Sequence, residues 1–227
     1  PYTMGSLYWQ LNDVWPGASW SSVDFYGRWN PLNFHARRFF APLAVAALRK
    51  DGVTRLSLLS DRTTSTDAEW RLRVMDFDGR VLKEQRRPAT LAALAATPAG
   101  EFTDADLLGG ADPARTVAVF DLVTGGQAVS RGLVYFTAPR QLRLPAPRIQ
   151  TDLAASGDGY RLTLRSPVFV RALWLDFGDL DATLSDNALD LLPGEAVTLQ
   201  VRSRADADAL RKALTLQSLA DAMSAPA

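Results

Sequence analysis

The chain has 227 residues, 47% of them hydrophobic, and its 25 Lys and Arg residues are balanced by 25 Asp and Glu. This composition supports a packed core, with length for more than one domain at roughly 100–200 residues each, and it excludes disorder and the basic footprint of a nucleic-acid-binding protein. There is no cysteine and one histidine, His35, so disulfides and thiolate metal sites are excluded and any His-based metal or triad site would rest on a single residue.

Four of the six tryptophans, Trp9, Trp15, Trp20 and Trp29, fall in the first thirty residues. Such a cluster is either a small core or a sugar-stacking surface. Leu7-Tyr8-Trp9-Gln10-Leu11 reads as a short buried strand of the parallel-sheet kind. A polar loop with Gly, Pro and Ser follows, over residues 12–28. Asn30 then suits a helix N-cap and Pro31 the first helical position. Trp29 and Phe34 have the spacing of a hydrophobic staple. Leu32, Ala36, Phe39 and Phe40 can share a helix face, and Pro42 should end the helix. Residues 1–41 thus read as one βα unit, which cannot bury its own apolar faces. No apolar run approaches the roughly 20 residues of a membrane helix, and no signal-peptide pattern is visible.

Beyond Pro42 the pattern becomes that of strands. Val53 to Leu59 is one, and Trp70, Leu72 and Val74 alternate with arginines in a second. Asp78-Gly79 marks a hairpin turn into Val81-Leu82. Residues 89–99 read as a short helix or a loop. Strands at 117–120 and 133–136 complete a small antiparallel sandwich over 42–143. Leu144-Pro145-Ala146-Pro147 suits a stiff linker. A second sandwich over 144–227 is expected from strands at 160–165, 168–176 and 196–201, a helical turn at 206–212, a last strand at 213–219, and a frayed tail from Met223.

The run from Gly5 through Leu7-Tyr8-Trp9-Gln10-Leu11-Asn12-Asp13-Val14-Trp15-Pro16 resembles the end of the catalytic barrel in the β-mannosidases of glycoside hydrolase family 2. Ser19-Trp20-Ser21-Ser22-Val23-Asp24, Gly27-Arg28-Trp29 and Phe34-His35-Ala36-Arg37-Arg38-Phe39-Phe40-Ala41-Pro42 continue the likeness. Far downstream, Leu184-Ser185-Asp186-Asn187 and Asp190-Leu191-Leu192-Pro193-Gly194-Glu195 resemble the turn signature of the family's last immunoglobulin-like domain. Asn30 and Asn33 stand where the family has Lys and His, and Ala188 where it has an aromatic residue.

The resemblance implies a mainly β fold: the last βα unit of a (β/α)8 TIM barrel (1–41) followed by two immunoglobulin-like β-sandwich domains (42–143 and 144–227). It implies a retaining exo-β-mannosidase that needs no cofactor or metal and acts on mannose-containing oligosaccharides. The partner of this chain would be the upstream part of its own polypeptide, with no nucleic acid or membrane. A periplasmic or secreted location is favoured over a cytoplasmic one. Active sites of such barrels lie at the C-terminal ends of the strands. Trp9 is therefore expected as the platform under the terminal mannose, the alternative being a barrel-core residue. Asn12 and Asp13 would bind sugar hydroxyls or order the loop, or Asp13 would cap a turn. Trp15 and Trp20 could line the outer part of the pocket or pack at a domain junction, packing being the favoured reading, and His35 reads as a structural residue. Retaining glycosidases need two carboxyl groups roughly 5–5.5 Å apart, and both are glutamates in this family. This chain has no glutamate before Glu69, and Glu69, Glu84, Glu101 and Glu195 fall in the sandwiches. The catalytic pair is therefore expected outside this chain. Two alternatives remain: a relative cleaving β-galactosides, β-glucuronides or glucosaminides, and a non-catalytic carbohydrate-binding module with an aromatic strip on a sandwich face.

Overall fold

The computed structural model describes residues 5–224 and divides the chain into two compact units, with the boundary between Phe40 and Ala41.

In the first unit, the strand expected at residues 7–11 does not form. Isolated bridges join Asn12 to Val23 and Val23 to Trp29. The N–H groups of Ser22 and Val23 donate to the carbonyls of Gln10 and Leu11 at 3.1 and 2.8 Å. An extended segment becomes a strand only where a neighbour supplies a continuous ladder, and among the described residues of this unit none does. Leu7, Trp9 and Leu11 remain exposed. Helix α1, Pro31–Phe39, begins where expected, with Asn30 in an extended N-cap conformation and Pro31 following it. The Asn30 side chain does not cap the helix; its Nδ2 donates to the Ser21 carbonyl at 2.9 Å and ties the helix entrance to the loop. Trp29 and Phe34 meet edge to face at 5.2 Å, as the staple spacing requires. The shared face differs from expectation. Phe34 and Ala36 are buried, whereas Phe39 and Phe40 are exposed and contact each other at 4.7 Å. The buried Phe34 meets Trp29, and Phe40 at the helix end lies 6.3 Å from the Tyr8 ring.

The second unit is mainly β and holds two sandwiches. In the first, β1 (Leu43–Lys50), β2 (Val53–Ser60) and β5 (Ala95–Thr103) form a three-stranded sheet in the order β1-β2-β5. It faces a four-stranded sheet of order β4-β3-β6-β7, made of β3 (Thr66–Asp76), β4 (Val81–Leu91), β6 (Thr116–Thr124) and β7 (Gln127–Tyr135). A short helix α2, Asp104–Leu108, follows β5. The core between the sheets includes Leu56, Leu58, Trp70, Leu72, Phe120 and Leu122.

Strand β1 was not foreseen. Its hairpin partner is fixed by a two-residue Asp51-Gly52 loop with φ of +51° and +77°, between Lys50 and Val53. This is the mirror-image turn whose twist suits paired strands, and Gly52 tolerates it without strain. Residues 89–91 end β4 and 95–99 begin β5, with a three-residue turn between them. Pairing of β4 with β3 and of β5 with β2 overrides the weak local preference of their alanines. Between the pairs Leu56–Gly100 and Ser57–Pro98 the register shifts, which leaves Ala99 as a bulge. Pro88 and Pro98 sit on edge strands, where a missing N–H costs no ladder bond.

The second sandwich pairs a sheet of order β11-β13-β9-β8 with one of order β12-β10-β14. Its strands are β8 (Gln150–Ser156), β9 (Gly159–Arg165), β10 (Val170–Asp176), β11 (Ala182–Leu184), β12 (Leu189–Leu191), β13 (Ala196–Ser203) and β14 (Thr215–Gln217). Helix α3, Ala207–Ala213, is capped by Asp206, whose carboxylate accepts from the Ala209 N–H at 2.8 Å. The tail expected to fray from Met223 is helical as far as Ser224, in α4 (Leu219–Ser224). Ser218 and Asp221 close a capping box there, the Ser218 N–H donating to the Asp221 carboxylate at 2.8 Å. The rest of that tail, residues 225–227, lies outside the described residues.

The two sandwiches share a third apolar cluster. Met75, Phe77, Val117, Val119 and Leu142 pack against Phe169 and Leu192. The Phe77 and Phe169 rings stack at 5.1 Å, and the Phe169 N–H donates to the Phe77 carbonyl at 2.8 Å. Strand β6 is consequently covered on both faces, which explains the unbroken apolar run Val117–Phe120 better than a one-sided strand would. Gly79, at φ +96°, lies against Pro193, and a Cβ there would stand 2.8 Å from the proline Cβ. Leu142 is buried and Leu144 packs against the cluster, so the proline-containing segment after Arg143 is anchored at its start rather than being a free tether.

Candidate functional site

The aromatic side chains divide sharply between the two units. Trp9, Trp15, Trp20, Phe25, Tyr26, Trp29, Phe39 and Phe40 are exposed, and all belong to the first unit. Among the described residues of 41–224, no Trp, Tyr or Phe is exposed, and Trp70 is 3% exposed. The first unit therefore carries the aromatic surface, and the loop of residues 10–24 organises it.

Within that loop Asp13 is the centre of a polar network. The Ser21 hydroxyl donates to its Oδ2 at 2.7 Å and Gln10 Nε2 donates to its Oδ1 at 3.1 Å. The Asp13 N–H donates to the Val23 carbonyl at 3.1 Å, which fixes the backbone. Hydrogen bonds from the Ser19 and Ser21 hydroxyls, and then from Gln10, hold the Asp13 carboxyl below the usual carboxylate range, because they stabilise its charged form. Asp13 is thus an ionised acceptor positioned by side chains, rather than a cap on a backbone turn. Ser21 is itself buried. Asn12 is exposed; its Nδ2 donates to the Asp13 carbonyl at 3.2 Å.

A cavity of about 280 Å³ opens beside Asp13, near the lower end of small-molecule sites. Gln10, Asp13 and Ser19 supply its polar lining, and Val14, Trp15, Ala18 and Trp20 its apolar lining. Trp15 and Trp20, read from the sequence as packing in preference to lining the outer pocket, are 72% and 71% exposed and line this cavity. Trp9 is 77% exposed, and neither it nor Asn12 lines the cavity. Gln10, Ser19 and Ser21 were not singled out from the sequence. The signal for them was local: serines closely flanking a tryptophan, eight residues and fewer beyond an aspartate, can turn hydroxyls back onto it. A larger hollow of about 430 Å³ at one end of the second sandwich is lined by Asp158, Tyr160, Arg204 and Asp206 among others, and carries no exposed aromatic ring.

Other candidates are committed to structure. Asp24 accepts the N–H groups of Tyr26 and Arg28 at 2.9 and 2.8 Å and the Arg28 Nε at 2.6 Å. Burial pushes its carboxyl up, but these bonds from Arg28 and Tyr26 outweigh it and leave it lowered. His35 is exposed on α1, with Nδ1 3.3 Å from Arg38 Nη1, and the Arg37 guanidinium lies 5.8 Å from the Trp29 ring centre. The glutamates are held by arginines: Glu69 by Arg71, Glu84 by Arg86, Glu101 by Arg55, and Glu195 by Arg73 and Arg131. Among the described residues no group of His, Asp and Glu is placed to hold a metal. Asn187, in the turn between β11 and β12, clamps β10. Its Oδ1 accepts the Leu175 N–H at 2.9 Å and its Nδ2 donates to the Leu175 carbonyl at 2.8 Å.

Comparison with known proteins gives a consistent result. Residues 52–141 match the family of mannosidase Ig/CBM-like domains, and residues 144–222 match an Ig-fold domain family of mannosidases. The chain is 30% identical over 194 residues to the β-mannosidase of Capra hircus, a match that covers 82% of this chain and 22% of that protein. The crystal structure of a β-D-mannosidase from Dictyoglomus thermophilum superposes with a TM-score of 0.81 at 19% identity, covering 92% of this chain and 25% of that one. An exo-chitosanase from Amycolatopsis orientalis has the same fold at a TM-score of 0.64 and 17% identity, over 93% of this chain and 29% of that one. The chain spans about a fifth of the length of the curated relative it matches. Its two immunoglobulin-like domains and its sequence relatives make the chain a C-terminal portion of the β-mannosidases of glycoside hydrolase family 2.

Proposed function

We propose that the whole protein is an exo-β-mannosidase, hydrolysing terminal non-reducing β-D-mannose with retention of configuration. Residues 1–41 finish its catalytic barrel as the eighth βα unit. Residues 42–143 and 144–227 are sandwich domains that brace it. The two catalytic glutamates, nucleophile and acid/base, are supplied by the part of the polypeptide outside this chain, and the reaction passes through a covalent glycosyl-enzyme intermediate. Trp9 offers its indole face to the C–H surface of the terminal mannose, and Asn12 and Asp13 take sugar hydroxyls. The observation that carries this reading is the pair of exposed indoles, Trp15 and Trp20, that line a hollow together with the Asp13 carboxylate in the first unit. Sugars present both an apolar C–H face and hydroxyl donors, and that surface matches both.

Among the described residues the sandwiches show no exposed aromatic strip of the kind a carbohydrate-binding module needs, which weighs against that alternative. The choice of sugar is tested by assaying the full-length protein on a panel of aryl glycosides. The β-mannoside is expected to be the best substrate. A best substrate among the β-galactosides, β-glucuronides or β-glucosaminides would reassign the sugar within the family.

A further inference from the structure

We propose that the turn at residues 190–195, between β12 and β13, is a clamp that makes the two sandwiches one cooperative folding unit. The clamp is independent of the sugar that the whole protein cleaves.

The sequence of the turn dictates its shape. Pro193 and Gly194 are the central pair of Leu192-Pro193-Gly194-Glu195, and the Glu195 N–H donates to the Leu192 carbonyl at 3.1 Å. Gly194 has φ +77°, the left-handed conformation that the third residue of a type II turn needs, and proline suits the second position. The tight turn sends neighbouring side chains to different places. Leu191 enters the core of the second sandwich, whereas Leu192 enters the cluster shared with the first. The Gly194 N–H donates to the Ser166 carbonyl at 2.8 Å, which ties the turn to the β9–β10 connection. Ser166 is itself buried, and its hydroxyl accepts the Val168 N–H at 3.2 Å. The same connection carries Phe169 onto Phe77. Two loops of the second sandwich are thus joined to each other as well as to the first sandwich.

What these loops cover makes the joint cooperative. On β6, Ala118 and Phe120 belong to the core of the first sandwich, whereas Val117 and Val119 belong to the shared cluster, and all four are fully buried. Met75, Phe77 and Leu142 extend this second apolar face. Phe169 and Leu192, one from each loop, are the buried side chains of the second sandwich that pack on it. An apolar face needs a partner layer, so the first sandwich completes its burial only when the loops of the second are in place. Other contacts surround the same seam. Pro193 fills the space beside Gly79, and Glu195 reaches Arg73 and Arg131. The change of domain at residues 143–144 is therefore not a boundary of folding.

Hydrogen exchange, followed peptide by peptide in the full-length protein over a series of sub-denaturing urea concentrations, tests the clamp. Buried amides of β6 in the first sandwich and of β13 in the second are expected to open together, with one dependence on urea. Leu192→Ala is expected to speed exchange in both strands by about 10-fold or more, because the cavity loosens a layer common to both. Should that variant not fold, Pro193→Ala is the milder change, and it should again quicken both strands together. Separate urea dependences for β6 and β13 in the wild-type protein would overturn the clamp. So would exchange that quickens in the variants in the second sandwich alone, or in neither, since the turn would then serve at most its own domain.

Discussion

Asp121→Ala is expected to lower the melting temperature of the second unit by roughly 6–12 °C, corresponding to about 3 kcal/mol for a unit of this size. Asp121 lies mid-strand on β6, and its side chain is 6% exposed. Its Oδ1 accepts Arg131 Nε at 2.6 Å, and its Oδ2 accepts Arg73 Nη2 at 2.8 Å. The same arginines reach Glu195, on the turn before β13, at 2.5 and 2.9 Å. The result is a closed ring of two arginines and two carboxylates that joins the sandwiches beside the Phe77–Phe169 stack. Burial works against the charge of Arg131, but Asp121 and then Glu195 more than compensate and raise its pKa. Removing Asp121 leaves two guanidinium groups facing each other with one partner between them. The arginines retain some solvent contact, which keeps the effect at the lower end for a broken buried network. Glu195→Ala, at the more exposed end of the ring, should cost about 1 kcal/mol. Thermal unfolding followed by circular dichroism checks both. A melting temperature for Asp121→Ala within 2 °C of wild type, on a scale of about 2–4 °C per kcal/mol, would show that the ring contributes little.

Trp9→Ala in the full-length protein is expected to reduce kcat/KM on an aryl β-mannoside by about 10–150-fold, equivalent to about 1.5–3 kcal/mol for covering an aromatic face. Trp9 is 77% exposed in its own unit, so the fold of that unit does not depend on burying it. A platform under the terminal sugar predicts loss of activity with little change in melting temperature, and partial recovery in Trp9→Phe. A core role in the complete barrel predicts the opposite pattern, a large fall in stability with activity lost in proportion. Measuring both quantities on the same samples separates the two.

The legible parts of the fold were those where a local rule and the tertiary environment agree. Helix α1 was readable because Asn30, Pro31 and the Trp29–Phe34 staple mark its start independently of what it packs against. The alternation of Trp70, Leu72 and Val74 with arginines was readable because one face of β3 is core and the other carries the charged ring. Residues 89–99 were misread because alanines carry no strong preference, and their state is set by pairing of 89–91 with β3 and of 95–99 with β2. The strand expected at residues 7–11 does not form here for the converse reason. Its composition suits a sheet, but a strand needs a neighbour, and among the described residues of its unit there is none. At the candidate site, the tryptophans were visible as a cluster, whereas the grip of Ser21 and Gln10 on Asp13 was not. That grip depends on a loop closure set by the backbone bonds between residues 10–13 and 22–23, which no periodicity encodes.

The central claim is that this chain contributes aromatic walls and bracing domains to a β-mannosidase whose catalytic carboxylates lie elsewhere in the polypeptide. It is tested most directly by assaying the pure 227-residue chain and the full-length protein at equal molarity on one aryl β-mannoside. The expected result is robust turnover by the full-length protein and none by the chain. Measurable turnover by the chain alone would contradict the claim, because the catalytic pair would then have to be found among residues assigned here to binding and structure.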